Sequence, residues 1–420
     1  MPGNGTDQRQ AEAAFAIIAR LGAILFANGQ TTHRCNADAL RLSQALGMAC
    51  RPVFRWGELM LLGPADRPVV AVPVSPFGVH MGKIGAATRL IDGVASRAIA
   101  EERIAAELEV VEGTPPSSSW RFVLAAGFGA AALAIVFGVT MPSTLIAILL
   151  IAGAGALLRR WIGRLSGNPF AQPIAAAGLA GLTGGVAIRF GQAPPDALVA
   201  LCPCMVLVPG PHFLNGILDF AHGRVNLGLA RTSYASLIVL VICAGLLAGL
   251  ALAGVTLPVS GAFTPVPLTY DVLAAGVAVA AYGTFFSMPW RLLGLPVVIG
   301  MLAHAARWVL VFRLGQSAEL GAFVACLIAS AIIAPVALRT HMAFAGFAFA
   351  SVVSLIPGVF LFRTSSAIVG LIARGGSADS ALVQDAAADA ATALLILVAM
   401  AFGLALPLLF VERILADRPE

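Results

Sequence analysis

From Trp120 onward the chain is a succession of apolar runs of 16 to 25 residues. Most are long enough for a helix to cross the ~30 Å of hydrocarbon in a bilayer. The runs fall at about 120–139, 142–158, 172–190, 196–220, 233–257, 270–288, 292–311, 318–338, 341–363 and 388–411. Backbone groups inside lipid must be satisfied internally, so these runs predict an all-α polytopic membrane protein with ten transmembrane helices. Composition agrees: 59% of residues are hydrophobic and 11% charged, roughly half the charge of an average soluble protein.

The basic residues set the expected orientation. With both termini on one side, that side holds the N-terminal part, Arg121, Arg159, Arg160, Arg164, Arg224, Arg231, Arg291, Arg339, Arg413 and Arg418. Arg189, Arg307, Arg313, Arg363 and Arg374 fall on the other. The positive-inside rule then places both termini in the cytoplasm of a cell that carries the chain in its inner (plasma) membrane. Basic residues scattered in this way speak to topology, and no nucleic-acid partner is expected.

Two of the runs are interrupted. Val206-Leu-Val-Pro209-Gly210-Pro211-His212 breaks the fourth, and Ser354-Leu-Ile-Pro357-Gly358 breaks the ninth, 148 residues later. Proline removes a backbone donor and clashes with the preceding turn, so a helix stops at each. Ten spans with a repeat at the fifth invert the second half relative to the first. The expectation is two inverted five-helix repeats with broken fourth and ninth helices, and paired interruptions of this kind point to a transporter's binding site. The half-helices that restart there present free donors and a positive dipole end suited to a carboxylate. Carbonyls left unpaired by Pro209 and Pro357 offer acceptors to an ammonium group. Pro209, Gly210, His212, Asn215, Pro357 and Gly358 are therefore the expected substrate-binding residues. Asn215 and Asp219 share a helical face, with His212 one turn before them. Asp219, Arg231 and Arg363 are the candidates for proton coupling or gating. A capping role for Asp219, an Asp219–Arg231 ion pair, and an Arg363 that snorkels to the interface are the plainer alternatives.

Residues 1–118 are expected to form a cytoplasmic α/β domain, with no cleaved signal peptide ahead of it. They carry eleven Lys/Arg and eleven Asp/Glu. A helix ends near Asn28-Gly29 and a second, capped by Thr31 or Thr32, ends near Gly47. Short strands follow over 48–54, 58–62 and 69–74, then one charged helix over about 91–110. Five-span membrane modules over 119–258 and 259–420 complete the expected division. His33, Cys35 and His80 offer a hydrolase reading little support, because no nucleophile elbow or His-Glu-x-x-His helix accompanies them. The expectation is that the chain is not an enzyme. Cys202-Pro-Cys204 lies in an apolar run, where cysteine is usually a small hydrophobe. Neither a metal nor a cofactor is expected.

Leu207-Val-Pro-Gly210 followed by Asn215, Asp219, Gly223 and Gly228-Leu-Ala-Arg231 resembles the characteristic segment of the threonine/serine exporter family. Leu25-Phe-Ala-Asn-Gly29-Gln-Thr-Thr-His-Arg34 is similar to the opening of that family's cytoplasmic domain. Phe285-Phe-Ser-Met-Pro-Trp-Arg291, Gly300 and Leu355-Ile-Pro-Gly358 are similar to its C-terminal five-span module. His212 and Arg339-Thr-His341 depart from the pattern. The resemblance implies export of threonine, serine or similar small amino acids, driven by the proton motive force. Related two-chain proteins are associated with dicarboxylate (succinate) export, which stands as the alternative. The partners implied are the small-molecule substrate, protons and the lipid bilayer. A homo-oligomer is left open.

Overall fold

A computed structural model describes residues 4–191, 198–257, 265–340, 344–375 and 379–416. Asp196 and His341 lie outside them. The N-terminal layer begins with α1 (Asn4–Ala27), whose Phe15, Ile18, Leu21 and Leu25 recur at helical spacing and are buried. Gly29, at φ 95°, ends that helix in the left-handed region that glycine adopts without cost. Thr31 caps α2 (Thr32–Ala45) through its hydroxyl, which accepts from the Arg34 N–H. Three antiparallel strands follow as a meander: β1 (Arg51–Arg55), β2 (Glu58–Leu62) and β3 (Pro68–Pro73). Leu59 and Leu61 alternate inward from β2 and are fully buried. Leu59 lies where α1 has Gly22, and a Cβ on that glycine would come within 2.9 Å of its Cδ2. Although α1 is apolar enough to cross a membrane, it packs on the sheet.

The single charged helix expected over 91–110 is instead two, α3 (Met81–Ala95) and α4 (Glu101–Glu112). The chain reverses between them, with Arg97 at φ 58° and the amides of Ala98 and Ile99 both donating to the Gly93 carbonyl. The cap of α3 is His80, whose Nδ1 accepts from the Lys83 N–H at 3.0 Å.

The apolar part forms helices α5 (Ser119–Val136), α6 (Pro142–Leu165), α7 (Ala171–Arg189), α8 (Leu198–Met205), α9 (Gly210–Ala221) and α10 (Val225–Leu252). The remainder are α11 (Leu268–Phe285), α12 (Gly294–Trp308), α13 (Ala318–Arg339), α14 (Phe344–Val352), α15 (Gly358–Arg374) and α16 (Ser380–Ala416). Among the described residues nine helices, α1 included, are long and apolar enough to cross a membrane. The pairs α8–α9 and α14–α15 reach that length together, bent by 52° and 63°. Both bends fall at the Pro-Gly steps.

Contacts among these helices recur in two sets. Helix α5 meets α6, α6 meets α7, α7 and α6 both meet α8, α9 meets α10, and α7 packs on α10. The same pattern holds for α11–α12, α12–α13, α13–α14, α12–α14, α15–α16 and α13–α16. The α7–α10 crossing is close enough to need glycine. A Cβ on Gly181 would lie 2.2 Å from the Leu246 carbonyl oxygen, and one on Gly249 would lie 2.2 Å from that of Gly178. Helices α5 and α11, each first of its set, pack on one another.

The N-terminal layer is fastened to the bundle by main-chain bonds. Met81 and Gly82 donate to the carbonyls of Phe286 and Ser287 at 2.9 and 3.1 Å. Just before α5, the Ser117 hydroxyl donates to the Thr284 carbonyl at 2.8 Å.

Candidate substrate cavity and its gates

A cavity of about 460 Å³ lies between the N-terminal layer and the bundle. Its wall includes Pro209, Pro211 and His212 from the first break, Phe77 to His80 from the segment before α3, and Arg159 and Arg160 from the end of α6. Tyr234, Phe285 and Phe286 add aromatic faces. No acid lines it among the described residues. Arg159 is the notable cation. Its Nε and Nη1 are buried without a hydrogen-bond partner, and its guanidinium lies 4.9 Å from the Phe285 ring centroid. Arg160 is partly committed, donating through Nη2 to the Ser117 carbonyl at 2.6 Å. His212 presents its ring to Tyr234 edge-on at 5.2 Å and leaves Nδ1 without a partner. His80 is kept an acceptor, because burial, reinforced by the charge of Lys83, pushes its pKa below the usual imidazole value.

The second polar centre lies beside the cavity. Asp219 accepts a 3.0 Å hydrogen bond from the Thr32 hydroxyl and is ion-paired with Arg231, whose Nε lies at 3.0 Å, and with Arg224 at 3.5 Å. Arg231 is wholly buried and its guanidinium also sits 4.7 Å from the Phe26 ring centroid. One turn earlier, Asn215 donates to the Gly29 carbonyl at 3.0 Å. The α1–α2 turn, Gly29 to Thr32, is thus plugged onto the face of α9 that carries Asn215 and Asp219. A charge as buried as Arg231 persists only if paired, and here the pairing also holds the N-terminal layer.

Models of the threonine/serine exporter family match residues 16–253 and residues 271–410. The chain belongs to the threonine/serine exporter family. Neither a curated protein nor a solved structure matches it. The family makes it a multi-pass membrane protein of amino-acid transport and points to a transporter rather than an enzyme. Two of the segments that resembled the family, around Gly29 and around Asn215–Arg231, meet at Asp219.

Of the residues expected at the exporter's binding site, Pro209 and His212 line the cavity, while Asn215, Asp219 and Arg231 line the docking contact beside it. Gly210 faces another way, toward the second half. A Cβ there would fall 1.6 Å from Cζ of Phe349 on α14, while one on Gly358 would fall 3.0 Å from Cγ of Met205 on α8. Each break therefore receives a side chain from the half-helix that precedes the other. Pro357 opens onto a separate cavity of about 240 Å³ with Arg307, Ser354 and Phe360, whose described lining includes no residue of the N-terminal layer. The two helix ends do not share one chamber.

The carbonyls opposite the prolines are occupied as well. Met205, which would have bonded the N–H that Pro209 lacks, accepts from Val208 at 3.3 Å and from the Tyr282 hydroxyl at 2.9 Å. Val353, the matching carbonyl of the second break, accepts from Ile356 at 3.3 Å. Arg363 does not snorkel: it is 5% exposed and acts electrostatically on Asp389 of α16.

Sequence reasoning missed Arg159, which it read as a topological charge, and a buried pair between α11 and α12. Nδ1 of His304 lies 2.5 Å from Oδ2 of Asp271, each residue 1% exposed. Asp271 stands in the first turn of α11, where an acid is common, and nothing local in the sequence indicates a partner 33 residues away.

Proposed function

We propose that this chain is a secondary exporter of threonine, serine or similar small amino acids, driven by the proton motive force. Both termini are cytoplasmic, in the inner membrane. The observation that carries this reading is the 460 Å³ cavity at the first helix break, with a guanidinium already desolvated and unbonded in its wall. Ligand pockets run from about 300 to 1,000 Å³. Arg159 offers a planar fork for the carboxylate. The rings of Tyr234, Phe285 and Phe286 offer π faces to the ammonium. His212 supplies a polar group for a substrate hydroxyl.

The recurring contact pattern supports a division into residues 1–118, a first five-span module at 119–258 and an inverted second at 259–420. The ten spans are α5, α6, α7, α8–α9 and α10, then α11, α12, α13, α14–α15 and α16, with α1 spent on the sheet. On this reading the cavity opens to the cytoplasmic side. The Gly210–Phe349 contact and the apolar side chains around it separate it from the chamber at Pro357. Alternating access then requires α9 to withdraw from α14, after which substrate reaches the outer chamber beside Arg307. Asp219 and Arg231 gate this movement because the same atoms hold the α1–α2 turn. Arg363 steadies α15 against α16. Asp271 and His304 form a titratable pair buried between spans and are the added candidates for carrying the coupled proton.

A dicarboxylate is the second reading, and it has its own support. Two arginines, with no acid among the described lining residues, make a wall that attracts anions. Efflux from cells preloaded with threonine or with succinate separates the two, since only the true substrate leaves faster when the chain is expressed. An uncoupler that fails to slow this efflux removes the proton drive. If neither solute moves, the transport reading of the cavity fails.

A further inference from the structure

At the edge of the soluble layer three side chains from distant parts of the chain converge. They are His33 from the first turn of α2, His222 from the end of α9, and Glu412 from the last turns of α16. Their ligand atoms all lie within 4.8 Å of one another. The imidazoles of His33 and His222 stack at 4.9 Å between centroids. His222 Nε2 stands 3.4 Å from Oε2 of Glu412.

The tautomer of His222 gives this cluster its chemistry. Its Nδ1 lies 2.7 Å from the Leu218 carbonyl, an atom that can only accept, so Nδ1 carries a proton and donates. Neutral His222 then turns the lone pair of Nε2 toward a carboxylate oxygen. Two acceptors that face each other at this distance need a cation between them. A proton on Nε2 is the ordinary solution for two groups, but it gives the stacked His33 ring no role and makes its protonation unfavourable. A divalent ion satisfies all three. Zinc sites place nitrogen and oxygen donors at about 2.0–2.2 Å, so tetrahedral donors stand about 3.3 Å apart, close to the His222–Glu412 spacing already present. The carbonyl that orients His222 is the usual outer partner of a metal-bound imidazole. Of the guanidiniums that bear on His33, Arg224 is engaged by Asp219 at 3.5 Å and Arg34 by Asp38 at 3.0 Å.

We propose that His33, His222 and Glu412 form a binding site for a borderline transition-metal dication, zinc above all, with a fourth position left to water. The ligands come from the soluble layer, from the broken helix of the first half and from the last helix of the second half. An ion held there cross-links three bodies. On the exporter reading given above, whose movement separates the two halves, zinc acts as a clamp that slows transport; binding itself does not depend on that reading.

The test uses tag-free, full-length protein in detergent, dialysed against zinc chloride and assayed for bound zinc, with Co²⁺ absorption as a second probe. One tight zinc per chain is expected, with affinity reduced at least tenfold in His33→Ala and in Glu412→Gln, and with the tetrahedral Co²⁺ spectrum lost in both. His33 is exposed at the start of its helix; His33→Gln, with thermal midpoints measured in EDTA, separates lost ligation from misfolding. Absence of stoichiometric binding, or binding indifferent to these substitutions, overturns the site. Intact binding with efflux unaffected by zinc overturns the clamp alone, whereas loss of all efflux without metal indicts the transport reading and leaves the site standing.

Discussion

The hydroxyl of Tyr282 on α11 donates a 2.9 Å hydrogen bond to the carbonyl of Met205 on α8, the acceptor that Pro209 leaves without its helical partner. A chain break in the first half is thus repaired by a side chain from the second. Tyr282→Phe keeps the ring and removes only the donor. A buried acceptor deprived of its better partner costs about 1–3 kcal/mol. The thermal midpoint of the purified protein is expected to fall. An unchanged midpoint means the Val208 N–H suffices for that carbonyl.

Gly210→Ala is expected to stop export. Its methyl group would overlap the Phe349 ring, which no rotation of the ring at that place relieves. Phe349→Leu in the same chain frees space and restores part of the efflux. If the double variant is no better than the single one, the steric account of this glycine is wrong.

Asp219→Asn leaves the fully buried Arg231 without a counter-charge. Removing one member of a buried pair costs about 3–5 kcal/mol. Thr32→Val removes two hydrogen bonds, one donated to Asp219 and one accepted from Arg231, but leaves the ion pair, and costs about 1–2 kcal/mol. Limited proteolysis reads both, because the α1–α2 turn is held by these atoms. The soluble layer becomes cleavable in Asp219→Asn well before Thr32→Val. Equal protection in both variants contradicts the docking role.

Arg159→Lys preserves charge and loses the fork. On the proposed role it weakens threonine affinity by at least tenfold while the thermal midpoint stays near that of the parent. Isothermal titration of substrate into the purified variant decides the matter.

Arg20 and Glu112 form a two-pronged pair, 2.9 and 2.8 Å, that ties α1 to α4. The hydrogen bond from Arg20, ahead of its charge, holds the Glu112 pKa below its ordinary value of 4.5. A depressed carboxylate stabilises the fold above its unfolded value, and that contribution disappears as pH falls through the folded value. The pair is largely solvated, so its worth is small. Glu112→Gln should lower the midpoint slightly at pH 7, and the two proteins should converge in strong acid. A gap that persists there points to packing instead of charge.

What could be read from residues alone was whatever local chemistry makes unusual. Proline and glycine inside an apolar run are costly in any fold, so both breaks stood out at Pro209 and Pro357. The shared face of Asn215 and Asp219 followed from helical spacing. What that face meets did not, since Gly29 and Thr32 approach it from 186 and 187 residues away. Helix α3 escaped notice because its cap is a histidine and three glycines dilute its propensity. Arg159 looked like the basic residues that merely mark the inner end of a span. Only the cavity beside it shows a guanidinium with donors to spare.

The bonds from Met81 and Gly82 to Phe286 and Ser287 cross from the stretch matched by one family model to the stretch matched by the other. With Ser117 on Thr284 and α5 against α11, they hold the two stretches together independently of the covalent link between them. Supplied as separate chains, the two stretches would retain a shared interface whose registration is written in main-chain atoms, indifferent to most substitutions. The N-terminal layer is, in that sense, the part of the machine that knows where both halves are.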